Sequence, residues 1–80
     1  MRVTLYNVMM FAYRKGNEEW EKCPYGQTAI ELINLYQVCE YILNKAKTEE
    51  ELLTLMKEYK SNYESTNIVI SKILSKEIVL

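Results

Sequence analysis

One stretch, residues 28–47, restricts the fold of this chain more than any other. Its apolar residues recur at helical spacing, and a helix of that length spans roughly 30 Å, the width of a small domain. At about 100° per residue, one arc of the helix collects an ordinary core face. Its residues are Leu32, Leu35, Tyr36, Cys39, Ile42, Leu43 and Ala46. We therefore predict a central helix over residues 28–47.

The other side of this central helix is mixed in character. It carries Glu31, Asn34, Gln37, Glu40, Asn44 and Lys45, with Ile30, Ile33, Val38 and Tyr41 among them. A stripe that contains several large apolar side chains is poorly suited to water. We expect a second element of the chain, or a second molecule, to cover it.

A second helix is predicted to follow at once. Thr28 with Glu31, and Thr48 with Glu51, both have the spacing of a capping box, and Glu49 and Glu50 add negative charge to the second helix's first turn. This second helix should cover residues 49–63, with an apolar stripe of Leu52, Leu53, Leu55, Met56, Tyr59 and Tyr63. Because only a tight corner separates the two helices, they should pack as an antiparallel hairpin.

The two ends of the chain are harder to assign. Residues 2–16 are apolar on nearly every side and favour a helix over a strand by a narrow margin. Residues 61–67 are polar, with Ser65 or Thr66 available as a cap, and the tail beyond them reads as a helix with an extended apolar end. The predicted fold is an all-α domain of three or four helices built on the central hairpin. The alternative is an α+β fold in which the N-terminal stretch and the tail form a small sheet against that hairpin.

Composition excludes several chemistries. Eighty residues make one domain, 1–80, and their formal charge of −1 provides no field to attract nucleic acid. There is no histidine, Cys23 and Cys39 lack C-x-x-C spacing, and no glycine-rich phosphate loop is present. We predict no catalytic residue, no metal site and no cofactor, hence a protein that is not an enzyme, with both thiols reduced.

Localisation follows from the same features. The apolar run 3–13 is too short to span a membrane and lacks a small-residue cleavage site after it. We therefore expect a soluble cytoplasmic protein with no membrane partner. Heavy use of Lys, Ile, Asn, Tyr and Glu with little Ala is typical of an AT-rich genome, such as that of a low-GC bacterium or one of its phages.

A DNA-binding helix-turn-helix is an alternative use of the C-terminal half of the chain. It would use residues 52–59 as its first helix, 60–63 as its turn and 65–75 as its recognition helix. The turn lacks glycine, and the recognition helix is mostly Ile, Val and Leu, with only Lys72 and Lys76 to meet phosphate. Nucleic acid is therefore a disfavoured partner.

Aromatic residues supply the strongest functional hint, because side chains with an apolar body and a polar tip are enriched at protein interfaces. Tyr36, Tyr59 and Tyr63 fall on predicted core faces. The candidate partner-binding patch joins the mixed side of the central helix to the connecting loop and consists of Trp20, Tyr25, Ile30, Ile33 and Tyr41. The competing interpretation is that the N-terminal element covers these residues as ordinary core.

These observations favour a non-enzymatic, protein-binding regulator or inhibitor that covers a partner protein's surface. An origin in a phage or mobile element, for example as an anti-defence protein, is suggested by analogy with small AT-rich proteins. A DNA-binding repressor is the second hypothesis. A homodimeric structural module that uses the same patch for itself is the third.

Overall fold

A computed structural model describes residues 1–16 and 28–79 of the chain. These residues form four helices and no strand. The helices are α1 (Arg2–Gly16), α2 (Ala29–Lys45), α3 (Glu49–Glu58) and α4 (Glu64–Leu74). The predicted all-α class is confirmed, and the ambiguous N-terminal stretch is a helix.

The central helix begins and ends close to its predicted limits. Thr28 is the N-cap of α2: its hydroxyl oxygen accepts the Glu31 N–H at 3.4 Å, and the hydroxyl donates to the Glu31 carboxylate at 3.0 Å. The helix turns into extended backbone at Ala46, two residues before the N-cap Thr48 of α3. Thr48 binds Glu51 in the same two ways. Both predicted pairs of threonine and glutamate are therefore formed.

The most extensive helix–helix contact is between α1 and α2. Arg2 at the start of α1 donates to the carbonyls of Leu43 and Ala46, at 3.2 and 2.9 Å, and Tyr13 near its end packs on Tyr36. The two helices are therefore antiparallel, and the Arg2 guanidinium satisfies carbonyl groups at the end of α2 that have no intrahelical partner. From the sequence we predicted that α2 and α3 would form the main pair of packed helices, because residues 2–16 could be assigned to a helix only by a narrow margin.

All four helices contribute to one core. It is almost wholly aliphatic, and its buried side chains are Leu5, Val8, Met9, Ala12, Leu32, Leu35, Val38, Cys39, Ile42, Ala46, Leu52, Met56, Val69, Ile70, Ile73 and Ile78. Burying this apolar surface is the main favourable term in folding, at about 25 cal/mol per Å². The core positions expected on α2 are confirmed except that Tyr36 and Leu43 lie at its edge.

Helix α3 is shorter than predicted and ends at Glu58. Side chains bind the backbone just after it: the Asn67 amide accepts the Ser61 N–H at 2.8 Å and donates to the Ser61 carbonyl at 3.0 Å, while Ser61 Oγ accepts the Tyr63 N–H. Such bonds compete with the helical ladder. Tyr59 and Tyr63 therefore lie outside the helix and are exposed, so their assignment to a core face was wrong.

Helix α4 begins at Glu64, one or two residues before the predicted caps. It closes with a Schellman motif, in which Glu77 N–H binds the Lys72 carbonyl at 2.9 Å and Lys76 N–H binds the Ile73 carbonyl at 3.1 Å. Lys76 holds the left-handed position of this motif, with φ 63°. The turn brings Ile78 back into the core.

Candidate protein-binding face

One side of α2 carries a row of exposed side chains. We call this row the outer face of α2; it consists of Ile30, Ile33, Gln37, Tyr41 and Asn44. Ile30 is 61% exposed, and Ile33 and Tyr41 are each 44% exposed. Because residues 30 and 44 are separated by fourteen helical steps, the row is about 21 Å long.

Helix geometry explains why these side chains share one face. At about 100° per residue they fall within a narrow arc. The buried side chains of α2 (Leu32, Leu35, Val38, Cys39 and Ile42) occupy the remaining apolar arc. The sequence grouped Val38 with Ile30, Ile33 and Tyr41 on the mixed side. The structure divides that group, since Val38 is buried and the other three are exposed.

One flank of the outer face is an open groove against α1. Its volume is about 330 Å³, and its lining residues are Ala12, Tyr13, Ile33, Tyr36, Gln37 and Glu40. The Tyr13 and Tyr36 rings meet with centroids 5.4 Å apart. Tyr36 donates its hydroxyl to Glu40 at 3.0 Å, and this hydrogen bond, with the nearby negative charge, raises the pKa of Tyr36. The groove therefore combines aromatic walls with an acidic rim.

The other flank is aromatic as well. Tyr41 packs on Tyr59, with ring centroids 5.5 Å apart, and the Lys45 ammonium lies 5.7 Å from the Tyr41 centroid. Tilted ring pairs and ring–cation contacts of this kind hold exposed side chains in defined positions. Tyr41 is therefore exposed and also contacts a second ring and a cation.

Three of the five predicted patch residues are brought together here. Ile30, Ile33 and Tyr41 share the outer face of α2, whereas Trp20 and Tyr25 lie outside the described residues. The sequence missed Tyr59, because its apolar spacing matched the stripe of α3. The run of Ser, Asn and Thr after it is typical of turns and was the signal that the helix ends before Tyr59.

The described part of the chain offers little chemistry of other kinds. Within residues 1–16 and 28–79, no cluster of three potential metal ligands occurs. None of the helices described is long and apolar enough to cross a membrane. Cys39 is fully buried, as expected of a small core residue, and burial raises the pKa of its thiol to about 12.

Comparison with protein-family models, curated proteins and solved structures finds no significant match to this chain. The candidate function must therefore be argued from the geometry of the outer face of α2.

Proposed function

We propose that this chain is a non-enzymatic protein-binding module that covers a partner's surface with the outer face of α2. The observation that carries the proposal is the exposure of Ile30, Ile33 and Tyr41 in one row. Exposed apolar side chains gathered on one face indicate an interaction site more than single ones scattered over a surface do. A row of such side chains on one helix suits the lining of an interface.

The composition of the face supports the same proposal. Interface centres are rich in aromatic and large aliphatic residues and poor in charge, with charged groups at the rim. Here Ile33 and Tyr41 lie toward the centre, while Glu40 and Lys45 lie at the edges. Tyrosine adds a hydroxyl that can form a hydrogen bond once the apolar ring is covered.

The face is also well supported from beneath. The residues of α2 directly behind it are fully or almost fully buried in the core, and the helix is capped at both ends. A side chain that is already held in place loses little conformational entropy on binding. The outer face therefore suits docking without rearrangement of the helix.

A regulator or inhibitor role is the form of binding that we favour, because blocking a partner requires only that its surface be covered. Within this proposal the chain acts in a bacterial cytoplasm, or in a host cytoplasm if a phage encodes it.

The decisive experiment compares two double variants of matched exposure. Ile33→Ala with Tyr41→Ala removes two side chains from the outer face, and Ile68→Ala with Tyr6→Ala removes two that are 46% and 50% exposed elsewhere. Each purified, tagged protein is used to capture proteins from a low-GC bacterial lysate, followed by quantitative mass spectrometry. Circular dichroism checks that both variants are folded.

We expect the wild type and the control variant to enrich the same protein, and the face variant to lose it by at least tenfold. A tenfold loss corresponds to about 1.4 kcal/mol, which is modest for two residues at an interface centre. Equal enrichment by all three proteins would overturn the proposal.

A further inference from the structure

We propose that the groove between α1 and α2 binds a lysine or arginine side chain of the partner protein. The cationic group would lie against the rings of Tyr13 and Tyr36, with its charge toward the Glu40 carboxylate. We call this site the tyrosine groove; its lining residues are Ala12, Tyr13, Ile33, Tyr36, Gln37 and Glu40. The inference rests on the proposed function, because the groove borders the outer face of α2, and it adds the chemical class of the group that the partner presents.

Two tyrosine pairs of nearly the same geometry flank the outer face of α2. The Tyr13 and Tyr36 centroids are 5.4 Å apart with the rings inclined at 44°, and those of Tyr41 and Tyr59 are 5.5 Å apart at 48°. The second pair has a cation beside it, since the Lys45 ammonium lies 5.7 Å from the Tyr41 centroid. A cation within about 6 Å of an aromatic face is attracted by the negative charge of that face. The pair in the tyrosine groove offers the same kind of surface to a cation from another molecule.

The charge beside the tyrosine groove favours a cation. Glu40 lines this groove, where Lys45 stands beside the other ring pair. Tyr36 donates its hydroxyl to Glu40 at 3.0 Å, and this hydrogen bond and the negative charge of Glu40 raise the pKa of Tyr36. The ring therefore stays neutral at neutral pH. An ionised carboxylate has about four acceptor sites, so Glu40 can accept from an ammonium or guanidinium group in addition to Tyr36.

The size and lining of the groove suit one long side chain. Its volume of about 330 Å³ is at the lower end of the roughly 300–1,000 Å³ of ligand pockets. Ala12 is fully buried and lies at the base, and Ile33 adds an apolar wall. Lysine and arginine bury their methylene stems along such apolar surface and keep the charged head free to meet an acid. The basic residues that end α1, Arg14 and Lys15, are not among the lining residues.

An NMR titration with small probes tests the site directly. The cationic probes are the N-acetyl methylamides of lysine and arginine, and the matched control is that of norleucine, which has a similar stem and no charge. We expect the cationic probes to give saturable shifts of the Tyr13 and Tyr36 ring protons at millimolar concentration. The norleucine probe should bind about two- to fivefold more weakly, the ratio expected for a cation on an exposed ring.

Two single variants separate the contributions of ring and charge. Tyr36→Leu removes the ring and keeps an apolar side chain, and Glu40→Gln removes the charge. Each should abolish the preference for lysine over norleucine, whereas Glu58→Gln, which neutralises an exposed carboxylate on α3, should retain it. Circular dichroism checks that the variants are folded, and Glu40→Gln is decisive if Tyr36→Leu is not. Equal binding of lysine and norleucine probes by the wild type, or a preference that Glu40→Gln leaves unchanged, would overturn the inference.

The two proposals fail separately. In the capture assay, Glu40→Gln should lower enrichment of the partner by about two- to fivefold. A partner that is lost by the Ile33→Ala and Tyr41→Ala variant, without any lysine preference in the titration, overturns the tyrosine groove and leaves the proposed function supported. A lysine preference with no partner lost by that double variant supports the groove as a cation site and overturns the proposed function.

Discussion

Two neighbouring strips of α2 differ in polarity in the reverse of the expected way. The strip packed against the rest of the chain is polar, and the strip exposed on the surface is apolar. The strip that is covered by α4 carries polar contacts: Asn34 Oδ1 accepts from Thr66 at 2.7 Å and from Ser61 at 2.6 Å, and Glu31 accepts from the Ser65 hydroxyl. We call these contacts the polar seam. The outer face of α2, which nothing in the described chain covers, carries Ile30, Ile33 and Tyr41.

The polar seam is required by the fold, because its buried hydroxyl group needs a hydrogen-bond partner. Thr66 is fully buried, and a buried hydroxyl without a partner costs about 1–3 kcal/mol, so Asn34 must be where it is if α4 is to dock in this register. The apolar outer face meets no such requirement within the described fold. This contrast is the basis for proposing that the outer face of α2 binds a partner.

The largest effect is expected from Asn34→Leu in the polar seam. This substitution removes the acceptor for the Ser61 and Thr66 hydroxyls, and we expect the free energy of unfolding to fall by about 2–3 kcal/mol. Urea denaturation followed by circular dichroism measures it.

The matched control for that experiment is Asn44→Leu, which changes an exposed asparagine of the same helix. Its effect should stay within about 0.5 kcal/mol. A similar loss in both variants would mean that the seam hydrogen bonds contribute little.

The outer face should show the reverse pattern, with a large effect on association and a small one on stability. Ile33→Ala with Tyr41→Ala should weaken partner capture by at least tenfold, or about 1.4 kcal/mol. Because both side chains are nearly half exposed, unfolding free energy should change by about 1 kcal/mol or less. A loss of several kcal/mol in urea denaturation would show that the face is structural.

A third and smaller effect is expected from acid. Hydrogen bonds from Ser65 and then Thr28 lower the pKa of Glu31 in the folded chain. A carboxyl whose folded pKa lies below its unfolded value adds stability above the unfolded pKa, and that contribution is lost as the pH falls through the folded pKa. Ser65→Ala should raise the pKa of Glu31 and make stability less dependent on pH over this acidic range.

Carbon-detected NMR titration of the Glu31 side chain measures that shift. The control is Ser71→Ala, which changes an exposed serine on α4, the helix that also carries Ser65. It should leave the pKa of Glu31 unchanged. If Ser65→Ala also leaves it unchanged, the seam contact between Glu31 and Ser65 is not maintained in solution.

Much of the fold could be predicted because local signals were strong. The threonine caps at 28 and 48, and the buried arc of α2, depend only on residue type and spacing. The burial of Val38 and the exposure of Tyr41 could not be predicted, because both residues lie among polar residues on the mixed side of α2. Val38 is buried and Tyr41 exposed because of how the helices pack, and that packing includes contacts distant in sequence such as those of Ser61 and Thr66 with Asn34.

The end of α3 illustrates the same limit. Tyr59 continues the apolar spacing of that helix, yet the helix stops before it because the Asn67 side chain binds the Ser61 backbone. This is a contact between residues six apart, with Asn67 itself inside α4. Periodicity does not report such contacts. For this reason Tyr59, which we assigned to the core, instead packs on Tyr41 at the candidate site.

The smallest effect is expected from charge reversal away from the outer face. In the repressor hypothesis, Lys72 and Lys76 would contact phosphate, and reversing both would abolish binding. Glu64 and Glu77, however, line the same surface groove beside α4 as Lys72, so the region carries both signs of charge. We therefore expect Lys72→Glu with Lys76→Glu to change partner capture by less than about twofold, or about 0.4 kcal/mol.

The same capture assay measures this, alongside a gel-shift assay with random-sequence duplex DNA. If the wild type binds DNA and the reversal abolishes that binding, the functional site lies on α4 and the proposal for the outer face of α2 is wrong.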